Sequence, residues 1–186
     1  DCRSNSRGLL RNEKPMFSRG LIVLWLLAFL TSANCYNPGT SWRIESAFAA
    51  LKQDGTVAAW GSSNSGGSGV PAGLSNVQAI YSTQSAFAAL KQDGTVEAWG
   101  TLINGGDVPA GLSNVQAMYS TDRAFAALKT DGSVLAWGNS DYGGGTVPYG
   151  TTNVQAIYST YAAFAALKQD GTVKAWGIWH SGGSYV

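Results

Sequence analysis

The chain has 186 residues, enough for one domain of ordinary size. Its apolar content, 45%, is that of a folded protein, and its 24 glycines sit largely in short loops at fixed places, which fits tight turns better than low complexity. The net charge of +1 is unevenly spread: Arg3, Arg7, Arg11, Lys14 and Arg19 come early, while from Tyr36 onward seven Lys or Arg meet nine Asp or Glu, so this part lacks the basic footprint that nucleic-acid binding needs.

The first segment reads as a leader. Leu21–Leu30 (LIVLWLLAFL) is a run of ten apolar residues. Met16 opens the segment, Arg19 supplies positive charge before the run, and Ala33-Asn34-Cys35 follows it with small residues at the cleavage positions. This is the layout of a signal peptide, with the cut expected after Cys35 and residues 1–35 outside the fold. Residues 1–15 read as translated leader or as the tail of a longer gene. A membrane-spanning helix needs about 20 apolar residues, so the mature part is expected to carry no span. The secretory pathway is the expected location. A buried core helix or an uncleaved anchor is the alternative for this run. Cys2 and Cys35 both lie in this segment, so residues 36–186 hold no disulfide and no cysteine metal site.

The rest of the chain is a repeat. Ala47–Gly61 (AFAALKQDGTVAAWG) returns as Ala86–Gly100, as Ala124–Gly138 and, from Ala163, as Phe164–Gly177. The repeated phenylalanines are Phe48, Phe87, Phe125 and Phe164, giving spacings of 39, 38 and 39 residues. A period in that range belongs to solenoids and propellers.

Within one unit, Ala86–Lys91 and Thr95–Trp99 flank Asp93-Gly94, the pattern of a hairpin with positive φ at both turn residues. Asn114–Ser120 alternates with period two and predicts a third strand of the same unit. A helix is the competing reading of the Ala-Leu-Lys run, but about seven residues are too few for a stable one. Alanine is unusual in strands, and here it lines both faces. The expectation is a sheet covered on both faces by neighbouring sheets, with Phe87, Val96 and Trp99 as the large side chains between them.

The Leu-x-x-Asp-Gly-x-Val-x-x-Trp-Gly core, as in Leu90–Gly100, resembles the repeat of the regulator of chromosome condensation family, and is similar to the blade of β-lactamase inhibitory protein II. Both resemblances cover residues 47–186 and imply a seven-bladed β-propeller. The expected fold is therefore all-β: a partial β-propeller of about four three-stranded blades over 36–186. Val186 aligns with Val70, just before Pro71, so the chain is read as stopping in mid-repeat and as a piece of a larger ring. The alternative is a closed four-bladed ring, completed by Asn37–Ile44 with Trp42 in the place of Tyr81, at the low limit for propellers.

Little in the chain supports catalysis. His180 is the only histidine, so no histidine triad or cluster can form, and no catalytic, cofactor-binding or metal-ligating residue is assigned. Asp54, Asp93, Asp131 and Asp170 always precede glycine and read as turn residues. Positions Ala58, Glu97, Leu135 and Lys174 vary freely between units and read as exposed. The loops after Trp-Gly also vary, and such loops line one rim of a propeller. Tyr142, Tyr149, Trp179 and His180 are the candidate partner-binding residues on them; the alternative is that the aromatics only cover a blade edge. The leading reading is a secreted, non-catalytic scaffold that binds a protein partner through this rim. A glycan-binding module is the second reading. An intracellular guanine-nucleotide exchange factor or ubiquitin-ligase-associated domain is the third, and it rests on the family resemblance alone.

Overall fold

The computed structural model describes residues 29–33 and 47–183. Within them the chain forms four antiparallel sheets of three strands each. The first holds β1 (Phe29–Ala33), β2 (Ala47–Leu51) and β3 (Val57–Gly61). The second holds β4 (Val77–Ser82), β5 (Ala86–Lys91) and β6 (Val96–Gly100). The third is β7 (Val115–Ser120), β8 (Ala124–Lys129) and β9 (Val134–Gly138); the fourth is β10 (Val154–Ser159), β11 (Ala163–Lys168) and β12 (Val173–Gly177). The all-β partial propeller with three-stranded blades is thus the architecture observed.

Two details differ from the sequence expectation. The first is phase. Val115–Ser120 pairs with Ala124–Lys129 of the following unit, not with the strands before it. The reason is loop length: three residues, 121–123, separate β7 from β8, whereas a long connection separates β6 from β7. Short connections favour antiparallel neighbours. The second is the turn. Gly94 has φ +76, but Asp93 keeps an ordinary negative φ. The Lys91 N–H bonds to the Thr95 carbonyl and the Gly94 N–H to the Lys91 carbonyl, so the loop has three residues and only its glycine needs the left-handed region. Asp93 instead accepts from the Thr95 N–H at 2.9 Å and from the Thr95 hydroxyl at 2.5 Å. These bonds, the hydroxyl's first, hold its carboxyl below the usual value. Asp54, Asp131 and Asp170 do the same with Thr56, Ser133 and Thr172.

Each of β4, β7 and β10 carries a bulge next to its first residue. Gln78, Gln116 and Gln155 are the extra residues. Gln116 and Gln155 donate their side-chain amides to the Lys129 and Lys168 carbonyls. A bulge adds local twist, which suits the innermost strand of a blade.

Packing between sheets follows the strand alternation. On β5, Ala86, Ala88 and Leu90 face the third sheet, where they meet Phe125, Ala127, Met118 and Trp137. Phe87 and Ala89 face the first sheet and meet Ala47 and Ala49, with Trp99 beside them. The third and fourth sheets repeat the scheme. Small alanines on both faces let the sheets approach, and Phe and Trp fill what remains. Phe87 and Trp99 stack at 5.4 Å between ring centres, and the Trp99 indole N–H donates to the Gly66 carbonyl of the preceding unit at 2.9 Å. Trp137 does the same to Gly105 and Trp176 to Gly143. These glycines sit at φ +86, +96 and +88 directly under the phenylalanine rings; a Cβ on Gly105 would lie 2.6 Å from Phe125 Cδ2. No L-residue with a side chain fits there without displacing the ring.

The four sheets do not close on themselves. Phe48 and Trp60 of the first sheet are 37% and 46% exposed, where their counterparts Phe87 and Trp99 are 0% and 3%. The closed four-bladed ring would bury them, so the open, partial arrangement is the one observed. Asn37–Ile44, which that ring requires as a strand, lies outside the described residues, as do Cys35 and Val186. The strand that does complete the first sheet is Phe29–Ala33, paired from Phe29↔Leu51 to Ala33↔Ala47. The sequence reading sets these residues in a leader outside the fold; the rest of that leader lies outside the described residues.

Trp99→Ala removes a buried ring, its stacking contact with Phe87 and an indole hydrogen bond. It should cost about 3–5 kcal/mol in chemical denaturation. Glu97→Ala, at an exposed position of the same strand, should stay within about 0.5 kcal/mol. Equal losses at the two positions would contradict the inward and outward assignment.

Candidate binding rim

The two ends of the blade array are built differently. At one end lie the Asp-Gly hairpins, each against the start of the next inner strand: the Val115 N–H bonds to the Gly94 carbonyl, and Val154 to Gly132. At the other end lie two kinds of connection. One is the three-residue link from inner strand to middle strand, at 83–85, 121–123 and 160–162. The other is a single 3-10 turn after each Trp-Gly, at Ser63–Ser65, Leu102–Asn104, Ser140–Tyr142 and Trp179–Ser181.

A repeated threonine joins them. The Thr83, Thr121 and Thr160 hydroxyls donate to the carbonyls of Asn104, Tyr142 and Ser181 at 2.9, 2.9 and 2.8 Å. This fixes each 3-10 turn against the inner link of its own blade. The links are tied to one another as well: the Gln84 N–H bonds to the Asp122 carbonyl, and the Asp122 N–H to the Tyr161 carbonyl. The backbone of this end is therefore held by unvarying groups, while the side chains on it differ from blade to blade. The links read Gln84-Ser85, Asp122-Arg123 and Tyr161-Ala162.

One cluster stands out on this end. The Arg123 guanidinium lies 5.0 Å from the centre of the Tyr142 ring. Tyr142 meets Tyr161 edge-on at 5.6 Å. Arg123 Nε donates to Asp122 Oδ2 at 3.3 Å, and the Asp122 side chain is nearly buried. The hydrogen bond between the Tyr142 and Tyr161 hydroxyls, with burial and the nearby Asp122 carboxylate, raises the Tyr161 phenol well above its usual value. The phenol stays protonated and remains a donor. An arginine within cation–π reach of an aromatic ring, beside a second tyrosine, is a surface suited to carboxylates, carbonyls and planar groups.

Of the four sequence candidates, Tyr142, Trp179 and His180 come to this end. Tyr142 is half-buried in the cluster. Trp179 is exposed at the tip of the fourth 3-10 turn, its ring against that of His180. Tyr149 is fully exposed but sits in the Pro148–Thr151 turn, on the connection that returns to the Asp-Gly end. Leu102 and Ile103, exposed on the second 3-10 turn, join the first group. Arg123, Asp122 and Tyr161 escape a search confined to the loops after Trp-Gly. The signal for them is the same between-unit variation, in the Thr-x-x-Ala links. Among the described residues no three His, Cys, Asp or Glu side chains converge where a metal could be held. No helix among the described residues is long and apolar enough to cross a membrane.

No protein-family model matches this chain, and no curated protein matches it. Solved structures do. The ectodomain of the receptor kinase CR4 from Physcomitrella patens is similar over 71% of this chain and 36% of its own, at 21% identity and a TM-score of 0.53. Yeast RCC1 (Prp20), solved bound to Kap60, matches over 73% of this chain and 42% of its own, at 18% identity and a TM-score of 0.53. The ectodomain of the receptor kinase ACR4 from Arabidopsis thaliana matches over 75% and 49%, at 16% identity and a TM-score of 0.51. The chain thus spans less than half the length of each. At such identities the likeness is one of fold, and the fold it shows is the β-propeller.

Proposed function

We propose that this chain is a non-catalytic binding scaffold that recognises a protein through the end carrying the 3-10 turns. The observation behind this reading is the Arg123–Tyr142–Tyr161 cluster: side chains unique to their blades, ordered against each other on an unvarying backbone. Arg, Tyr and Trp are the residue types that dominate binding hot spots. Their order before binding lowers the entropy lost on association. The repeated aspartates are engaged within their turns, which leaves the carboxylates at the other end structural. Two of the similar propellers are receptor ectodomains and a third is seen bound to a protein, which agrees with a scaffold role.

Glycan binding is the second reading, favoured by the exposed Trp179 ring, a surface on which a sugar can stack. Membership of the regulator of chromosome condensation repeat family, with an exchange-factor or ligase-associated role, is the third; it requires an intracellular location. We place the protein in the secretory pathway on the apolar run Leu21–Leu30 and the small residues before Tyr36. Removal after Cys35 would also take away β1 and leave β2 as the edge of the first sheet.

Against a partner recovered by affinity capture, Arg123→Ala and Tyr142→Ala should each weaken binding by roughly tenfold or more. Tyr149→Ala, on the connection leading to the opposite end, should leave binding unchanged. Normal binding by both cluster variants would remove the rim from consideration, and selective retention on a glycan array lost with Trp179→Ala would install the second reading.

N-terminal sequencing of material from a secreting host decides the location. It should begin at Tyr36 or within a few residues of it. Material confined to the cytosol, with Phe29–Ala33 retained, would contradict export.

A further inference from the structure

The junction between the second and third blades differs from the one after it. The third 3-10 turn sets Tyr142 between two links: its ring meets Arg123 on the link of its own blade and Tyr161 on the next. In the second turn the same position is held by Asn104. Its main-chain carbonyl accepts from the Thr83 hydroxyl, and the carbonyl of the following Gly105 accepts from the Trp137 indole. The Gln84 N–H bonds to the Asp122 carbonyl, so Asn104 lies where links 83–85 and 121–123 are tied together. The first and fourth turns carry Ser65 and Ser181 at this position.

Two sets of hydrogen-bonding groups are left over at this junction. Asn104 is 7% exposed, yet its side-chain carboxamide has no hydrogen-bond partner among the described residues. A polar group buried in that way is costly until something satisfies it. Arg123 is held at Nε by Asp122 and lies over Tyr142, while its two terminal nitrogens have no acceptor among the described residues. Arg123 is also the one Lys or Arg among the described residues on this end; Lys52, Lys91, Lys129, Lys168 and Lys174 lie toward the Asp-Gly hairpins. Leu102 and Ile103, on the same turn as Asn104, are exposed.

Together these groups specify a ligand chemistry. A carboxamide offers a donor and an acceptor, the pair that a main-chain peptide group offers in return. The terminal nitrogens of a guanidinium match the two oxygens of a carboxylate. We propose that this end recognises an extended peptide segment of its partner, with an acidic side chain on Arg123, a main-chain amide on Asn104 and an apolar side chain over Leu102 and Ile103. The inference rests on the reading of the 3-10 end as the binding face and narrows it to one chemistry. Charge complementarity selects the acid. Asp141, exposed one residue before Tyr142, opposes it and so disfavours segments that carry several acidic residues in a row.

The test is a panel of short synthetic peptides, flanked by leucines and alike except for one central Glu, Gln or Lys, titrated into the full chain. The Glu peptides should bind roughly tenfold or more tightly than the Gln peptides. The Arg123 Nε–H and Asn104 carboxamide signals should move in the nuclear magnetic resonance spectrum as they do so. Arg123→Gln should abolish the preference for Glu. Asn104→Ser, the residue that two other turns carry, should weaken binding of every peptide without lowering the unfolding midpoint. Asp141→Asn should tighten binding of the Glu peptides. Equal binding of the three sets overturns the proposal, as does binding of none. So does a Glu preference that survives Arg123→Gln, or binding unchanged by Asn104→Ser. If the captured partner still requires Tyr142 in any of these cases, the binding face stands and only its chemistry is wrong; a partner indifferent to both Arg123 and Tyr142 removes both.

Discussion

The indole-to-glycine hydrogen bond between successive units is the constraint on which the rest of the architecture depends. It requires a tryptophan at the end of the outer strand and a glycine in the left-handed region one unit earlier. It also requires a phenylalanine beside the tryptophan, because the two rings fill the space over the glycine. The distance in sequence from Gly66 to Trp99, and from Gly143 to Trp176, is 33 residues, and from Gly105 to Trp137 it is 32. The one-residue difference is the shorter middle period, absorbed in a loop while the contact is kept. The alanines follow from the same constraint. With Phe and Trp occupying the gap, the facing strands have room for little more than a methyl group.

Much of this was legible in the sequence, for a physical reason. A motif that recurs with its Asp-Gly, its Phe and its Trp-Gly in fixed order specifies local structure and a packing rule together. Strand identity, hairpin position and the burial of Trp99 all follow from it. Blade phase did not, because pairing of Val115–Ser120 is non-local and depends on comparing two loops, not on the strand's own pattern. The turn geometry at Asp93 departs from the two-residue expectation because Asp-Gly serves both two-residue and three-residue loops; here Asp93 accepts from the Thr95 N–H and hydroxyl. Phe29–Ala33 is a harder case. An apolar stretch satisfies a leader and an inner strand equally well, and composition does not tell the two apart.

The candidate site was half legible. Variation between units points to Tyr142 and Trp179 in the loops after Trp-Gly. It points equally to Arg123 and Tyr161, but these sit in links only three residues long between unvarying Thr and Ala, where they resemble strand ends. Tyr149 shows the converse: an exposed aromatic in a variable loop, yet on the connection that leads away from the cluster. Position in the blade, not variability alone, determines which side chains share a surface. The division of labour is clear in structural terms. Unvarying residues hold the backbone of the rim through the Thr83, Thr121 and Thr160 hydroxyls, and that leaves the variable side chains free to differ without cost to packing.

A glycine carbonyl of one unit holds the tryptophan of the next. Exchange of the indole protons, followed residue by residue in the nuclear magnetic resonance spectrum, reads each of these bonds separately. The indoles of Trp99, Trp137 and Trp176 should be strongly protected, and that of Trp60 should exchange rapidly. Four indoles exchanging at similar rates would contradict it.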